Sequence, residues 1–166
     1  MDTSKNLNKI LAAATFLYSF IIYILTMAPT TSFWDCGEFI ATSITLGVPH
    51  PPGTPFYLLL GNFFSQLPTF ADLGARVNLI SPIVSALAVM FLYLIIVQLI
   101  EEWRGEVKSW PDCLITYGSA IIGSLTFAVT DSHWFNAVEA EVYSLSTFFT
   151  SIVVWLILKW NTNSGH

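Results

Sequence analysis

Charged residues are absent from four long stretches of this chain. Uncharged apolar runs at 10–27, 79–100, 114–130 and 144–158 divide it, with the polar residues gathered between them. The first run, ILAAATFLYSFIIYILTM, would reach about 27 Å as a helix rising ~1.5 Å per residue, close to the hydrocarbon thickness of a bilayer. The second run is longer. The third and fourth are shorter, and they span if flanking residues such as Trp134 and Trp160 sit at the membrane interfaces. A fifth run, 55–67, is interrupted by Gly61, Asn62 and Gln66 and reads as a helix lying in the interface. The pattern predicts an all-α polytopic membrane protein with about four transmembrane helices. Its long first loop, 28–78, would carry short interfacial helices, and a second loop would cover 131–143.

Composition agrees with this reading. Of 166 residues, 54% are hydrophobic and only 10% charged, against roughly 25% charged in soluble domains. A net charge of −5 provides no basic surface, and no nucleic-acid motif is present, so nucleic acid is not an expected partner. Lys5 and Lys9 ahead of the first run imitate the start of a signal peptide. The run is longer than the usual ~7–15-residue core of such a peptide, so an uncleaved anchor is expected.

Basic residues give the expected orientation. With four crossings, Lys5, Lys9, Arg104, Lys108 and Lys159 fall on one side, which the positive-inside rule makes cytoplasmic. Loops 28–78 and 131–143 then share the extracytoplasmic face, and only Arg76 breaks the trend. Cys36 and Cys113 fall on opposite sides and cannot form a disulfide.

The chemistry-bearing residues lie in those two loops. In FWDCGEF (33–39), Asp35 and Glu38 are three apart and share a face on a helix beginning near Trp34. Such carboxylates can be ordinary helix N-terminal acids, or a general base beside a membrane cavity. GVPHPPGTP (47–55) contains four prolines and two glycines, a rigid turn able to fix His50. It can equally be a helix stop with an exposed histidine. In SHWFNAVEAEVYSL (132–145), Glu139 and Glu141 share a side only where the backbone is extended or irregular. There they could bind a divalent cation or a sugar's hydroxyls; otherwise they are a polar helix start. Arg76 either snorkels to headgroups or holds a phosphate. Trp34, Tyr57, Trp134 and Tyr143 read as interfacial belt residues, with sugar stacking as the second reading.

Nucleotide-binding glycine loops, zinc-protease and serine-hydrolase motifs and paired-cysteine metal sites are missing. An enzyme of this kind would take an activated substrate from the membrane. A transporter would place ionisable residues within its spans, where this chain has none. A non-catalytic assembly subunit is also compatible with the length.

Together FWDCGEF, GVPHPPGTPFY, ARVNLIS and NAVEAEVYSL resemble the GT-C superfamily of membrane glycosyltransferases, and within it the bacterial protein O-mannosyltransferase-like family that has animal relatives. The resemblance runs from about residue 25 to residue 150. It implies a sugar, mannose, carried on a polyprenyl phosphate and transferred with inversion to Ser or Thr hydroxyls of an acceptor protein outside the cytoplasm. It also implies that Asp35 is the catalytic base and Glu38 a supporting acid, with His50 near the donor phosphate or acceptor. Glu139 and Glu141 match a second acidic motif that binds a divalent ion in some members, which makes Asp35, Glu139 and Glu141 the candidate metal ligands and leaves the cofactor open. Arg76, Glu139, Glu141 and His50 are the candidate donor-binding residues. Members of the superfamily usually have eight or more spans, so the chain is expected to be the N-terminal transmembrane part, over 1–166, of a longer enzyme.

Overall fold

The computed structural model describes residues 2–51 and 54–164, and they are helical with no strand among them. Three helical stretches are long and apolar enough to cross a membrane: Ser4–Thr26, Leu73–Arg104 and Val142–Thr162. A fourth, Trp110–Ala128, qualifies together with Asp131–Ala137, from which it is bent by 67°. The all-helical fold with three to four helices of membrane-spanning length is therefore present, each helix beginning a few residues ahead of its apolar run. The run at 55–67 forms a 12-residue helix, Pro55–Gln66.

In chain order the helices are α1 (Asp2–Thr26), α2 (Cys36–Thr45), α3 (Pro55–Gln66), α4 (Leu73–Asn78) and α5 (Ile80–Arg104), then α6 (Trp110–Cys113), α7 (Ser119–Ala128), α8 (Asp131–Ala137) and α9 (Val142–Ser164). A π-helical turn, Leu114–Gly118, joins α6 to α7. α6 opens on a capping box in which Ser109 and Asp112 bond each other's main-chain N–H. α5 ends at Gly105, whose φ of +90° is one that residues with a side chain rarely adopt.

α5 is central and packs on α1, α7 and α9. Its buried positions are mostly small or β-branched: Ser81, Val84, Ser85, Ala86, Ala88 and Val89. Ala12 of α1 and Ala120, Ser124 and Ala128 of α7 are buried as well. In lipid, apolar side chains gain nothing by leaving one apolar medium for another, so small residues that allow close backbone approach form the helix contacts. The large residues Leu17, Leu25, Ile122 and Ile157 face outward.

Side-chain bonds show which helix ends meet. At one end, Ser4 bonds the Tyr117 hydroxyl (2.7 Å), and Thr162 bonds both Gln98 and Glu102. At the other, Tyr23 donates to the Ala128 carbonyl (2.7 Å) and Ser144 to Ser81 (3.2 Å). The four long stretches thus alternate in direction. Segments 27–79 and 129–141 are brought to one end, and the chain's first residues, 105–109 and the last turn of α9 to the other.

At the loop-bearing end the chain doubles back after α2, so that α3 runs alongside α2 in the same direction, Phe39 against Tyr57 and Ser43 against Gly61. A Cβ on Gly61 would overlap the Ser43 side chain, so the glycine sets the approach. This packing buries Tyr57 under Phe39, with Val77, Ile80, Ala140 and Leu145 around them. Tyr57 is 2% exposed. The interfacial-belt reading of Tyr57 is therefore corrected: the ring is in the core, because α3 folds back on α2. Trp134 packs edge-on against Tyr23, whereas Trp34 and Tyr143 are exposed.

Candidate functional site

The first acid is placed by a strained turn. Trp34 has φ +57°, a left-handed conformation rare for a bulky residue, and α2 starts two residues later at Cys36. Asp35 occupies the N-cap position of α2, but its side chain makes no capping bond. The ordinary role of an N-terminal aspartate is therefore not the one it performs, and its carboxylate is left exposed.

Glu38 lies one turn further on. α2 stops at Leu46, which takes the left-handed conformation, and the Gly47 N–H returns to the Thr42 carbonyl (2.9 Å). Residues 47–49 are irregular, and the chain bends at His50. The rest of the proline turn, at 52–53, lies outside the described residues. The result is a two-point contact: Glu38 Oε1 accepts the His50 main-chain N–H (2.8 Å), and Oε2 meets Nδ1 (2.7 Å). The hydrogen bond from His50 holds the Glu38 carboxyl below its ordinary range, and the same bond raises the His50 imidazole. Phe39 lies beneath the imidazole, with ring centroids 5.9 Å apart.

Among the described residues, Asp35, Glu38 and His50 form a group whose ligand-type atoms all lie within 4.8 Å of one another. An oxygen–oxygen–nitrogen set of this kind suits a divalent cation, provided His50 releases Nδ1 from Glu38. The set differs from the one expected, since Asp35 is grouped with Glu38 and His50 and not with Glu139 and Glu141.

Those two acids are close to the group but lie deeper. The segment between α8 and α9 is irregular, the condition under which both share a side. Glu139 is 2% and Glu141 8% exposed. Glu141 Oε1 accepts the Val142 N–H (3.0 Å) at the start of α9. Burial pushes the Glu141 carboxyl up, and the neighbouring charges of Asp35 and Glu139 push it further the same way. The buried Tyr57 hydroxyl lies near Ser81 and the Glu141 main chain, but meets neither in hydrogen-bond geometry. An apolar groove of about 480 Å3 opens between the first turns of α3 and α9, lined by Pro55, Phe56, Tyr143, Leu145 and Phe149 among others.

Arg76 uses two of its five N–H donors within the fold. Nε donates to the Phe70 carbonyl (2.6 Å) and Nη1 to the Ser65 carbonyl (3.1 Å), tying the α3–α4 connection to α4. His133 is buried against Phe127 and Tyr23, away from the acids. One residue the sequence did not single out is Asn78, fully buried where the loops converge; the run ARVNLIS contains it, but nothing in the local pattern separates it from an interfacial polar residue.

Comparison with known proteins gives a consistent answer. Residues 35–166 match the family model described as "Protein O-mannosyl-transferase TMEM260 N-terminal domain". The chain is 26% identical over 144 residues to the protein O-mannosyl-transferase tmem260 of Dictyostelium discoideum, covering 85% of this chain and 16% of that protein. It is 26% identical over 148 residues to the protein O-mannosyl-transferase TMEM260 of Mus musculus, covering 89% of this chain and 19% of that one. The chain therefore spans less than a fifth of the length of these relatives. No solved structure matches it.

Proposed function

The chain belongs to the protein O-mannosyl-transferase TMEM260 N-terminal domain family, and from that premise we propose that it carries the acidic centre of a membrane-embedded protein O-mannosyltransferase. The donor would be mannose on a polyprenyl phosphate, and the acceptor a Ser or Thr hydroxyl of a protein on the extracytoplasmic face. The observation that carries this reading is the uncapped carboxylate of Asp35, grouped with Glu38 and His50 within 4.8 Å at the loop-bearing end.

In this mechanism Asp35 takes the proton of the acceptor hydroxyl as its oxygen attacks the anomeric carbon. The new C–O bond forms as the bond to the donor phosphate breaks, with inversion, and the phosphate leaves with the electron pair. Asp35 suits the base role because it has no competing bond to the helix and is open to an incoming hydroxyl. Glu38 holds His50 in place and favours its charged form, which sets a cation beside the leaving phosphate. Glu141, whose carboxyl burial pushes up, lies beside this group and can hydrogen-bond a sugar hydroxyl. The groove between α3 and α9 is apolar enough to lodge the start of an isoprenoid chain. A divalent cation held by Asp35, Glu38 and a neutral His50 freed from Glu38 would supply that charge in place of the imidazolium. Arg76 is given no step in this mechanism, because two of its donors tie the α3–α4 connection to α4.

The extracytoplasmic placement is supported by the basic residues. Lys5, Lys9 and Lys159 line cavities at the end opposite the acids, where Arg104 and Lys108 also lie. The test is Asp35→Asn in the protein at its native length. Loss of a general base should lower mannose transfer by roughly 10²–10⁴-fold with membrane insertion unchanged. Undiminished transfer would overturn the reading.

A further inference from the structure

Asn78 joins the segments that carry the acids. It is the last residue of α4 and is fully buried. Four residues on, Pro82 cannot supply the helical N–H that the Asn78 carbonyl would otherwise accept, which accounts for a break between α4 and α5 at this point. The side chain uses both faces of its amide. Nδ2 donates to the Ala28 and Thr30 carbonyls, each at 2.9 Å. Oδ1 accepts the Ala140 N–H at 3.0 Å and faces the Cys36 thiol at 3.7 Å.

The partners matter more than their number. Ala28 and Thr30 begin the loop that leads to Asp35, and Cys36 follows Asp35 directly. Ala140 lies between Glu139 and Glu141. A main-chain bond from the Ala28 N–H to the Val138 carbonyl (2.8 Å) closes the same junction. An amide buried away from water is costly unless its donors and acceptors are met, and here all four capacities have a partner, so the geometry is closely specified.

Resting on the function proposed above, we propose that Asn78 is a positioning residue of the transfer reaction, setting the distance between the Asp35 turn and the Glu139–Glu141 segment without touching substrate. Two backbone segments, 28–30 and the one at Ala140, share this one side chain with the Cys36 thiol. Removing it leaves the Ala140 N–H and two carbonyls unpaired and frees the second acidic segment to shift against the first.

The experiment is a kinetic cycle in membranes holding the protein at its native length, with each rate expressed per folded molecule. Asn78→Ala should lower kcat by about 10²-fold, the scale of a 1 Å misplacement, with a smaller rise in KM for the donor. On a Glu139→Gln/Glu141→Gln background the same substitution should add little, because the residues it positions are already disabled. Unchanged kcat, a change confined to KM, or a loss that multiplies in full on the double background would overturn the inference. Asp35→Asn is measured alongside. If that variant stays active, the proposed function fails; if it is inactive while Asn78→Ala keeps its kcat, only the role of Asn78 fails. Should Asn78→Ala not fold, amide exchange in the wild-type protein decides. Slow exchange at Ala140 supports the bond to Asn78, and exchange as fast as in an exposed loop overturns it.

Discussion

Glu38 and His50, twelve residues apart, meet at two points: one carboxylate oxygen takes the histidine main-chain N–H at 2.8 Å and the other meets Nδ1 at 2.7 Å. The contact closes the loop between α2 and α3 and leaves the imidazole at the mouth of the acidic group. It also makes that loop sensitive to pH. The hydrogen bond raises His50 above 6.5, so its contribution is complete below that value and fades as pH rises through the raised one. Glu38 is lowered from 4.5, so its contribution is complete above 4.5 and fades as pH falls through the lowered value. The pair is intact between these limits. Side-chain NMR of the protein in detergent should place the His50 midpoint above 6.5, and Glu38→Gln should return it toward 6.5. A midpoint indifferent to Glu38→Gln would remove the pair from the account.

Glu141 should trade stability against function. Its carboxyl is raised first by burial, then by the charges of Asp35 and Glu139. An acid raised on folding adds stability below its ordinary 4.5 and loses it as pH rises through the folded value. Glu141→Gln keeps the shape and removes the titration. The variant should therefore melt above wild type at neutral pH, with the gap closing below about pH 4.5, while transfer falls. Thermal unfolding across pH decides this, and identical melting curves at every pH would sink it.

Arg76 was open between headgroup and phosphate in the sequence, and in the structure two of its donors bond Phe70 and Ser65. Arg76→Lys keeps the charge but loses the fork that spans two carbonyls. The expectation is a loss of about 1–2 kcal/mol of stability, with KM for the donor unaltered. A raised donor KM at full stability would return Arg76 to the phosphate.

Where the sequence was readable, a local pattern carried the information. Uncharged runs located the spans, because lipid penalises charge along the whole of a helix. The third span starts earlier than its apolar run because the capping box at Ser109 and Asp112 begins the helix on polar residues. The proline-rich turn signalled that His50 is held, but not what holds it. Glu38 became its partner only once α2 ended at Leu46 and turned the chain back. Tyr57 and Asn78 were beyond reach for one reason. Their surroundings come from packing distant segments, α3 on α2 for the tyrosine and two loops for the asparagine, and neither leaves a trace in neighbouring residues. The burial of Glu139 and Glu141 belongs with them, since spacing describes a shared side and says nothing of depth.

The side of the membrane that the acids face can be read by thiol labelling. Cys36 is fully buried, with its thiol against Asn78, so it should react slowly from either side. Thr31 is exposed in the same loop, and Trp110 is 70% exposed at the opposite end. With Lys5, Lys9, Arg104, Lys108 and Lys159 all at that opposite end, the positive-inside rule places it in the cytoplasm. A membrane-impermeant maleimide should then label Thr31→Cys in intact cells, and Trp110→Cys only after permeabilisation. The reverse pattern would put Asp35, Glu38 and His50 in the cytoplasm. A lipid-linked donor presented outside could not reach them there, and the mechanism built on Asp35 would fall with the topology.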